Sequence, residues 1–152
     1  FGKYAILAFT GKKNYDHRIS DAYIDAEQFR RIFINLFENS IDALKDQGRI
    51  EISTQLDVST NKIFISFSDN GIGIPNNDRE KLFLPHFTTK KRGTGLGLAI
   101  VNRIVVDHGG TINVKNNQPQ GTTFEIQIPR THLPFKNDPN QPSFIKKTFS
   151  PF

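Results

Sequence analysis

Four short stretches of this chain combine residue types and spacings suited to chemistry on a charged, flat ligand. The first is a polar stripe on a helical pattern: at 100° per residue, Gln28, Arg31, Asn35, Asn39 and Asp42 fall on one narrow face. Solvated helix faces usually carry Lys and Glu, whereas this stripe is centred on two amides, which donate and accept without adding charge. An amide oxygen is a hard ligand for Mg²⁺, which suits a metal that keeps its phosphates and waters. The second stretch is Asp69-Asn70-Gly71-Ile72-Gly73-Ile74-Pro75, directly after a strand pattern. In isolation it also fits an ordinary Asp-Asn-Gly turn. Read chemically, a carboxylate at a strand end accepts a hydrogen bond from an exocyclic amine, and Gly71 and Gly73 let backbone approach a flat ring. The third, Gly93-Thr94-Gly95-Leu96-Gly97-Leu98, runs into a helical pattern and offers free backbone N–H groups and a positive helix end to an anion. It lacks the Lys-Ser/Thr of a P-loop and does not follow a parallel strand as the dinucleotide fingerprint does. The fourth, Gly121-Thr122-Thr123-Phe124, opens a strand and by itself is equally a turn.

The elements that position these stretches follow from periodicity. With Asp25 as N-cap, Phe29, Ile32, Phe33, Leu36, Ser40, Ala43 and Leu44 recur at three and four residues, the stripe of an amphipathic helix, with Gly48 as its expected stop. Arg49–Leu56 then alternates, placing Ile50, Ile52, Thr54 and Leu56 on one side, and a polar turn at Ser59–Asn61 leads to a second strand, Lys62–Asp69. These two form a hairpin. Asn76–Arg92 is polar and irregular, the composition of a mobile segment, with Phe83 and Phe87 as its apolar pins. Leu96–His108 reads as a helix closed by Gly109–Gly110, despite a β-branched run, and Thr111–Asn116 with Thr122–Pro129 forms a second hairpin. At the margins, residues 1–20 show an apolar opening, a polar turn at Gly11–Asn14 and a short strand around His17–Ser20. Residues 130–152 have no period and read as a tail, which leaves 21–129 as the one domain.

Composition narrows the function classes. At 152 residues, 36% hydrophobic and 23% charged, the chain suits one soluble core, and no apolar run approaches the ~20 residues of a membrane span. The absence of Met and the start at Phe1 lead to the expectation of a piece cut from a longer chain, without a signal peptide or anchor of its own. With no Cys, disulfides, thiolate metal sites and cysteine nucleophiles are excluded. A net charge of +5 raises the question of nucleic acid, but Lys12–Lys13, Lys90–Lys91–Arg92 and Lys146–Lys147 are scattered short clusters with no base-stacking aromatics between them, so no nucleic-acid partner is expected.

The order of the motifs carries more than any one of them. Asn35-Leu-Phe-Glu-Asn39-Ser-Ile-Asp-Ala43, Asp69-x-Gly71-x-Gly73-Ile-Pro75, Phe83-Leu-Pro-His-Phe87-Thr-Thr-Lys90, Gly93-Thr-Gly95-Leu-Gly97-Leu-Ala99 and Gly121-Thr-Thr-Phe124 resemble the N, G1, F, G2 and G3 boxes of sensor histidine kinase catalytic domains, all five in order. The resemblance covers roughly Ile19 to Pro129 and is strongest to the nitrogen-regulation class. It implies an α/β two-layer sandwich, a mixed, mostly antiparallel sheet with helices packed on one face, the Bergerat ATP-binding fold shared with gyrase, Hsp90 and MutL. It implies ATP and Mg²⁺ as ligands. Asp69 would take the adenine amine, Gly71, Gly73 and Ile74 would line the ring, and Asn39 would hold the metal with its phosphates. Gly95 and Gly97 would border the triphosphate in the lid hinge, with Gly93, Thr94, Leu96, Leu98, Phe87 and Asp42 around the nucleotide. Lys90 and Arg92 would meet phosphate charge, and Thr122 or Thr123 would support the adenine site from behind.

The chain's own nucleophiles limit what it does alone. None of His17, His86, His108 and His132 lies in the His-Glu context that such kinases phosphorylate, so the expected acceptor is a histidine on a separate dimerisation domain, with a response regulator downstream. His86 reads as a lid packing residue, and His108 as a helix C-terminal residue favoured by the dipole. The rivals are a stand-alone serine kinase or ATPase of the same fold, and a non-catalytic nucleotide-sensing module. Hydrolysing relatives place a Glu where Asn35 stands, and an amide has no basic power. Glu38 is the nearby carboxylate but points about 60° away on the helix. Asn35, Glu38 and Lys90 are therefore the residues on which catalysis turns, in a cytoplasmic compartment even where the parent protein is anchored to a membrane.

Overall fold

A computed structural model describes residues 8–44, 47–89, 93–131 and 146–148. Helix α1 (Ala26–Ala43) starts where its cap demands: Asp25 is extended and its carboxylate accepts from the N–H groups of Glu27 and Gln28 at 2.9 and 3.1 Å. One face buries Phe29, Ile32, Leu36 and Ser40. The helix stops at Ala43 and not at Gly48. Ala43's carbonyl, one of the orphans of a helix end, accepts from Ile72 N–H at 3.0 Å, and Leu44 turns extended. Gly48 instead lies inside strand β3 (Gln47–Asp57), where a Cβ would come within 2.5 Å of Leu44 Cδ1, so the glycine permits the tight return against the helix end.

The sheet has the order β1-β3-β4-β6-β5, with β1 (Ala8–Asn14), β4 (Lys62–Asp69), β5 (Thr111–Asn116) and β6 (Thr122–Pro129). Both expected hairpins form, β3 with β4 and β5 with β6, and β4 joins them through β6; all three pairings are antiparallel. Only β1 pairs in parallel, with β3, because strand β2 (Asp21–Tyr23) and α1 supply the crossover. Register places Ile52, Phe67, Phe124 and Val114 in one row, and Thr54, Ile65, Ile126 and Ile112 in the next. That face meets α1 and helix α3 (Gly97–Asp107) through Phe29, Ile32, Leu36, Val101, Ile104 and Val105, forming one core. The alternate residues, Glu51, Ser53, Ser66, Ser68, Glu125 and Gln127, face away from it. The result is the expected two-layer α/β sandwich, with a mixed, mostly antiparallel sheet.

Two expectations at the margins need correction. Gly11–Asn14 is no turn but the second half of β1, because a ladder along β3 overrides weak local strand propensity. His17–Ser20 is no strand. The bend there is held by Arg18, which donates to Asp16 at 2.6 Å, and by Leu56 N–H on the same carboxylate at 2.9 Å. Together these bonds hold the Asp16 carboxyl well below the usual carboxylate range. The strand begins one residue later as β2, and its antiparallel partner is β7 (Lys146–Thr148), out of the aperiodic stretch read as a tail.

Helix α3 is bounded by Leu96 and His108 as caps, and its β-branched residues are tolerated because Val101, Ile104 and Val105 are buried. Gly109 adopts φ +69°, and the Gly109 and Gly110 N–H groups close the helix on Val106 and Val105 carbonyls. His108 does more than sit at a favourable dipole end. Its Nδ1 lies 2.7 Å from the Ile104 carbonyl and Nε2 accepts from Asp25 N–H at 3.0 Å, so the ring bridges the end of α3 to the start of α1. Phe29 meets it edge-on at 4.9 Å. His108→Ala leaves the Asp25 amide without this acceptor and removes the ring contact, an expected loss of roughly 1–3 kcal/mol. Urea unfolding checks this; a wild-type midpoint would mean that the bridge contributes nothing.

Candidate functional site

Strand β4 ends on Asp69, which is 3% exposed. A buried carboxylate needs donors, and the surrounding elements supply three. Oδ1 accepts from Gly71 N–H at 2.9 Å and Thr122 N–H at 3.2 Å, and Oδ2 accepts from Ser40 Oγ at 2.8 Å. Oδ2 therefore keeps one lone pair for a further donor. Here the loop after β4, the start of β6 and helix α1 meet at one point. The fit is close: a Cβ on Gly71 would lie 2.8 Å from Ala43 Cβ and from its carbonyl oxygen, and one on Gly121 (φ +122°) only 2.0 Å from the Asp69 carbonyl oxygen. Gly73 takes φ +78° with its α-carbon side toward the Gly121 carbonyl, and Ile74 packs on the core.

A second feature lies farther back along α1, toward its N-terminus. Gly97 opens α3 against Asn35: a Cβ there would stand 2.7 Å from Asn35 Oδ1. Among the described residues no side chain caps the α3 N-terminus, so its first N–H groups and the positive end of the dipole can serve an anion. Asn35 Nδ2 is engaged with the Arg31 carbonyl at 2.8 Å, leaving the oxygen toward α3. From Asn35 to Ser40 the helix rises by roughly 7.5 Å, with half-buried Asn39 between them on the way from the α3 end to the carboxylate end.

Other residues singled out by sequence lie at differing depths around these elements. Glu38 and Asp42 are exposed on α1, and Gly93, Thr94 and Leu96 are exposed ahead of α3, Thr94 Oγ1 accepting from Leu96 N–H at 3.4 Å. Leu98 packs on the core, and Phe87 is half-buried. Thr122 reaches Asp69 through its backbone, whereas Thr123 Oγ1 pairs at 2.9 Å with Ser68 Oγ on the opposite sheet face. Lys90 and Arg92 lie outside the described residues. The segment before them forms a short helix, α2 (Asn76–Arg79), then turns through His86, with Phe83 against the core. His86 is exposed and contributes through its backbone instead of its ring: φ is +66°, and its N–H donates to the Gly95 carbonyl at 2.9 Å. Gly95, at φ +67°, has no room for a Cβ, which would lie 2.4 Å from His86 carbonyl carbon.

Sequence reasoning missed three contributors. Ser40 was read as part of the apolar stripe, although a hydroxyl at a core-facing position is itself a signal that something polar must meet it. Gly121 was placed in a motif but not in the site. Asn117, in the β5–β6 turn, donates from Nδ2 to the Asp69 carbonyl at 2.8 Å. A depressed carboxyl does not mark the site: the Ser59 and Thr60 hydroxyls bring Asp57 down to about 2, but Asp57 pairs with Lys62 at the far end of the hairpin from Asp69.

A family model described as histidine kinase-, DNA gyrase B- and HSP90-like ATPase matches residues 24–132. The chain is 39% identical over 105 residues to the sensor histidine kinase ZraS of Salmonella typhimurium, covering 69% of this chain and 22% of that protein. It is 36% identical over 130 residues to the sensory histidine kinase/phosphatase NtrB of Azospirillum brasilense, covering 77% and 32%. It thus spans between a fifth and a third of these two relatives' length. Among solved structures, the nucleotide-free catalytic domain of histidine kinase ThkA superposes with a TM-score of 0.72 at 34% identity, covering 81% of this chain and 80% of that one. ThkA in complex with the response regulator protein TrrA gives 0.68 at 31%, covering 81% and 34%.

Proposed function

The chain belongs to the histidine kinase-, DNA gyrase B- and HSP90-like ATPase family, and on that premise we propose that it binds Mg·ATP and presents the γ-phosphate to a histidine on a separate dimerisation domain of the same sensor kinase. The observation that carries this is the span between the fixed Asp69 carboxylate, with its one open lone pair, and the uncapped α3 N-terminus beside Asn35. The first end takes the adenine amine, with Gly71, Gly73 and Ile74 along the ring and Thr122 behind. The second takes the phosphates, with Gly93, Thr94, Gly95, Leu96, Gly97 and Leu98 around them, Asp42 and Phe87 at the edges, and Lys90 and Arg92 supplying positive charge.

The donors fit a Mg²⁺ carried in with the nucleotide. Half-buried Asn39 lies on α1 between Asn35 and Ser40, where its amide oxygen, a hard donor, would hold the ion while the phosphates supply the rest. When bound, the ion would supply positive charge that neutralises the phosphates. The chain's own residues position the nucleotide and exclude alternatives. Asn35, whose amide is engaged with the Arg31 carbonyl, provides no base for water, and exposed Glu38 is the carboxylate on which a hydrolysing rival would depend. The nucleophile comes from outside, and proximity on the dimerisation domain is what that domain contributes. A response regulator is the proposed downstream partner by analogy with ThkA, and a reaction that consumes ATP belongs in the cytoplasm.

Asn39→Ala tests the metal assignment. ATP affinity falls far more with Mg²⁺ present than with the metal chelated, because the lost group is a metal ligand and not a base contact. Calorimetry in the two buffers reads the difference, and equal losses would make Asn39 structural.

A further inference from the structure

The turn between β5 and β6, together with the first residue of β6, grips Asp69 at both ends, and one side chain makes the backbone contact. At the side-chain end, Thr122 N–H holds Oδ1. At the backbone end, Asn117 Nδ2 donates to the Asp69 carbonyl, which lies past the last ladder pair of β4 with β6, Ser68 with Thr123. The Asn117 amide has little freedom to do otherwise. Its Oδ1 accepts from Gln118 N–H at 2.9 Å, and its own N–H donates to the Gly121 carbonyl at 3.0 Å, so Nδ2 is left aimed at Asp69. Gly121 Cα closes the other flank of the same carbonyl, where even a methyl group would stand 2.0 Å away. Two further side chains tie this turn and the strand end beside it to the loop after β4: Gln120 Nε2 reaches the Ile72 carbonyl at 3.5 Å, and Arg79 donates to Asn116.

We infer that Asn117 is a positioning residue for nucleotide selection: it fixes the Asp69 backbone so that the free lone pair of Oδ2 meets the exocyclic amine of a 6-aminopurine. This rests on the reading of Asp69 as the adenine-amine acceptor. A hydrogen bond to a charged acceptor depends on distance and direction, so a shift of the Asp69 backbone weakens that bond while leaving contacts to the phosphates and metal unchanged. The role is specific to the base end.

The test compares ATP with purine riboside triphosphate, which lacks the 6-amino group, by calorimetry on the full 152-residue chain. Wild type prefers ATP by about tenfold or more. Asn117→Ala loses about three- to tenfold for ATP and nothing for the analogue. Asn117→Ser, whose hydroxyl keeps an acceptor for Gln118 N–H but is too short to reach the Asp69 carbonyl, behaves alike and serves where the alanine variant does not fold. Equal losses for both nucleotides, or no loss for either in a folded variant, overturn the positioning role while leaving the Asp69 assignment standing. A wild type that binds the two nucleotides equally overturns both.

Discussion

Asp69→Asn retains the fold and loses ATP. The asparagine oxygen can keep both bonds to Gly71 N–H and Thr122 N–H, and the amide nitrogen can donate to Ser40, whose hydroxyl turns from donor to acceptor. The internal network therefore survives the substitution. The outward face does not: the second amide hydrogen now points where the carboxylate lone pair stood, opposing a donor with a donor. A lost hydrogen bond to a charged group is worth ~1.5–3 kcal/mol, about tenfold to over a hundredfold in affinity. Inosine triphosphate, with an acceptor at the 6-position, is expected to lose less than ATP. Calorimetry showing wild-type ATP affinity would rule out the adenine assignment.

Gly121→Ala should strike both fold and site. Its Cβ would sit 2.0 Å from the Asp69 carbonyl oxygen and 2.8 Å from Asn70 Cα, and both are backbone atoms that cannot swing aside. With φ at +122°, the alanine is also strained wherever it moves. Strain and overpacking together cost roughly 2–5 kcal/mol, a large share of the 5–15 kcal/mol that holds a typical domain. Relief by moving the start of β6 outward would draw Thr122 N–H from Asp69 and weaken nucleotide binding as well. Gly73→Ala is the control for backbone strain, because its φ of +78° is also positive while its Cβ would come no nearer than 3.3 Å to the Gly121 carbonyl. Urea unfolding and ATP titration of the two variants separate these cases; a Gly121→Ala protein as stable as Gly73→Ala would contradict the close approach.

What could be seen in the sequence was local. Asp25 announces α1 because a cap acts within three residues, and the Ile63, Ile65, Phe67 alternation announces β4 because side chains alternate along any strand. Asp69 was legible because it ends such a strand and precedes two glycines. The parts that escaped depend on distant chain. Strand β1 exists because β3 offers it a ladder some forty residues later, and β7 exists against β2 across more than a hundred. Ser40 looked like packing because its partner lies 29 residues on, and Asn117 looked like turn chemistry because its partner lies 48 residues back. His108 failed for the same reason: its dipole role is local, while its bond to Asp25 spans 83 residues.

The central claim is that this chain positions Mg·ATP for an acceptor it does not itself carry. Radiolabelled ATP is incubated with the chain alone and then with a dimerisation domain bearing the acceptor histidine, and the products are treated with acid. The account predicts ATP that persists on the chain alone, with negligible self-labelling and very slow hydrolysis, and label that appears on the added domain and is lost in acid, as phosphohistidine is. Acid-stable label on the chain alone would contradict it in favour of a serine kinase, and rapid phosphate release by the chain alone would contradict it in favour of an ATPase.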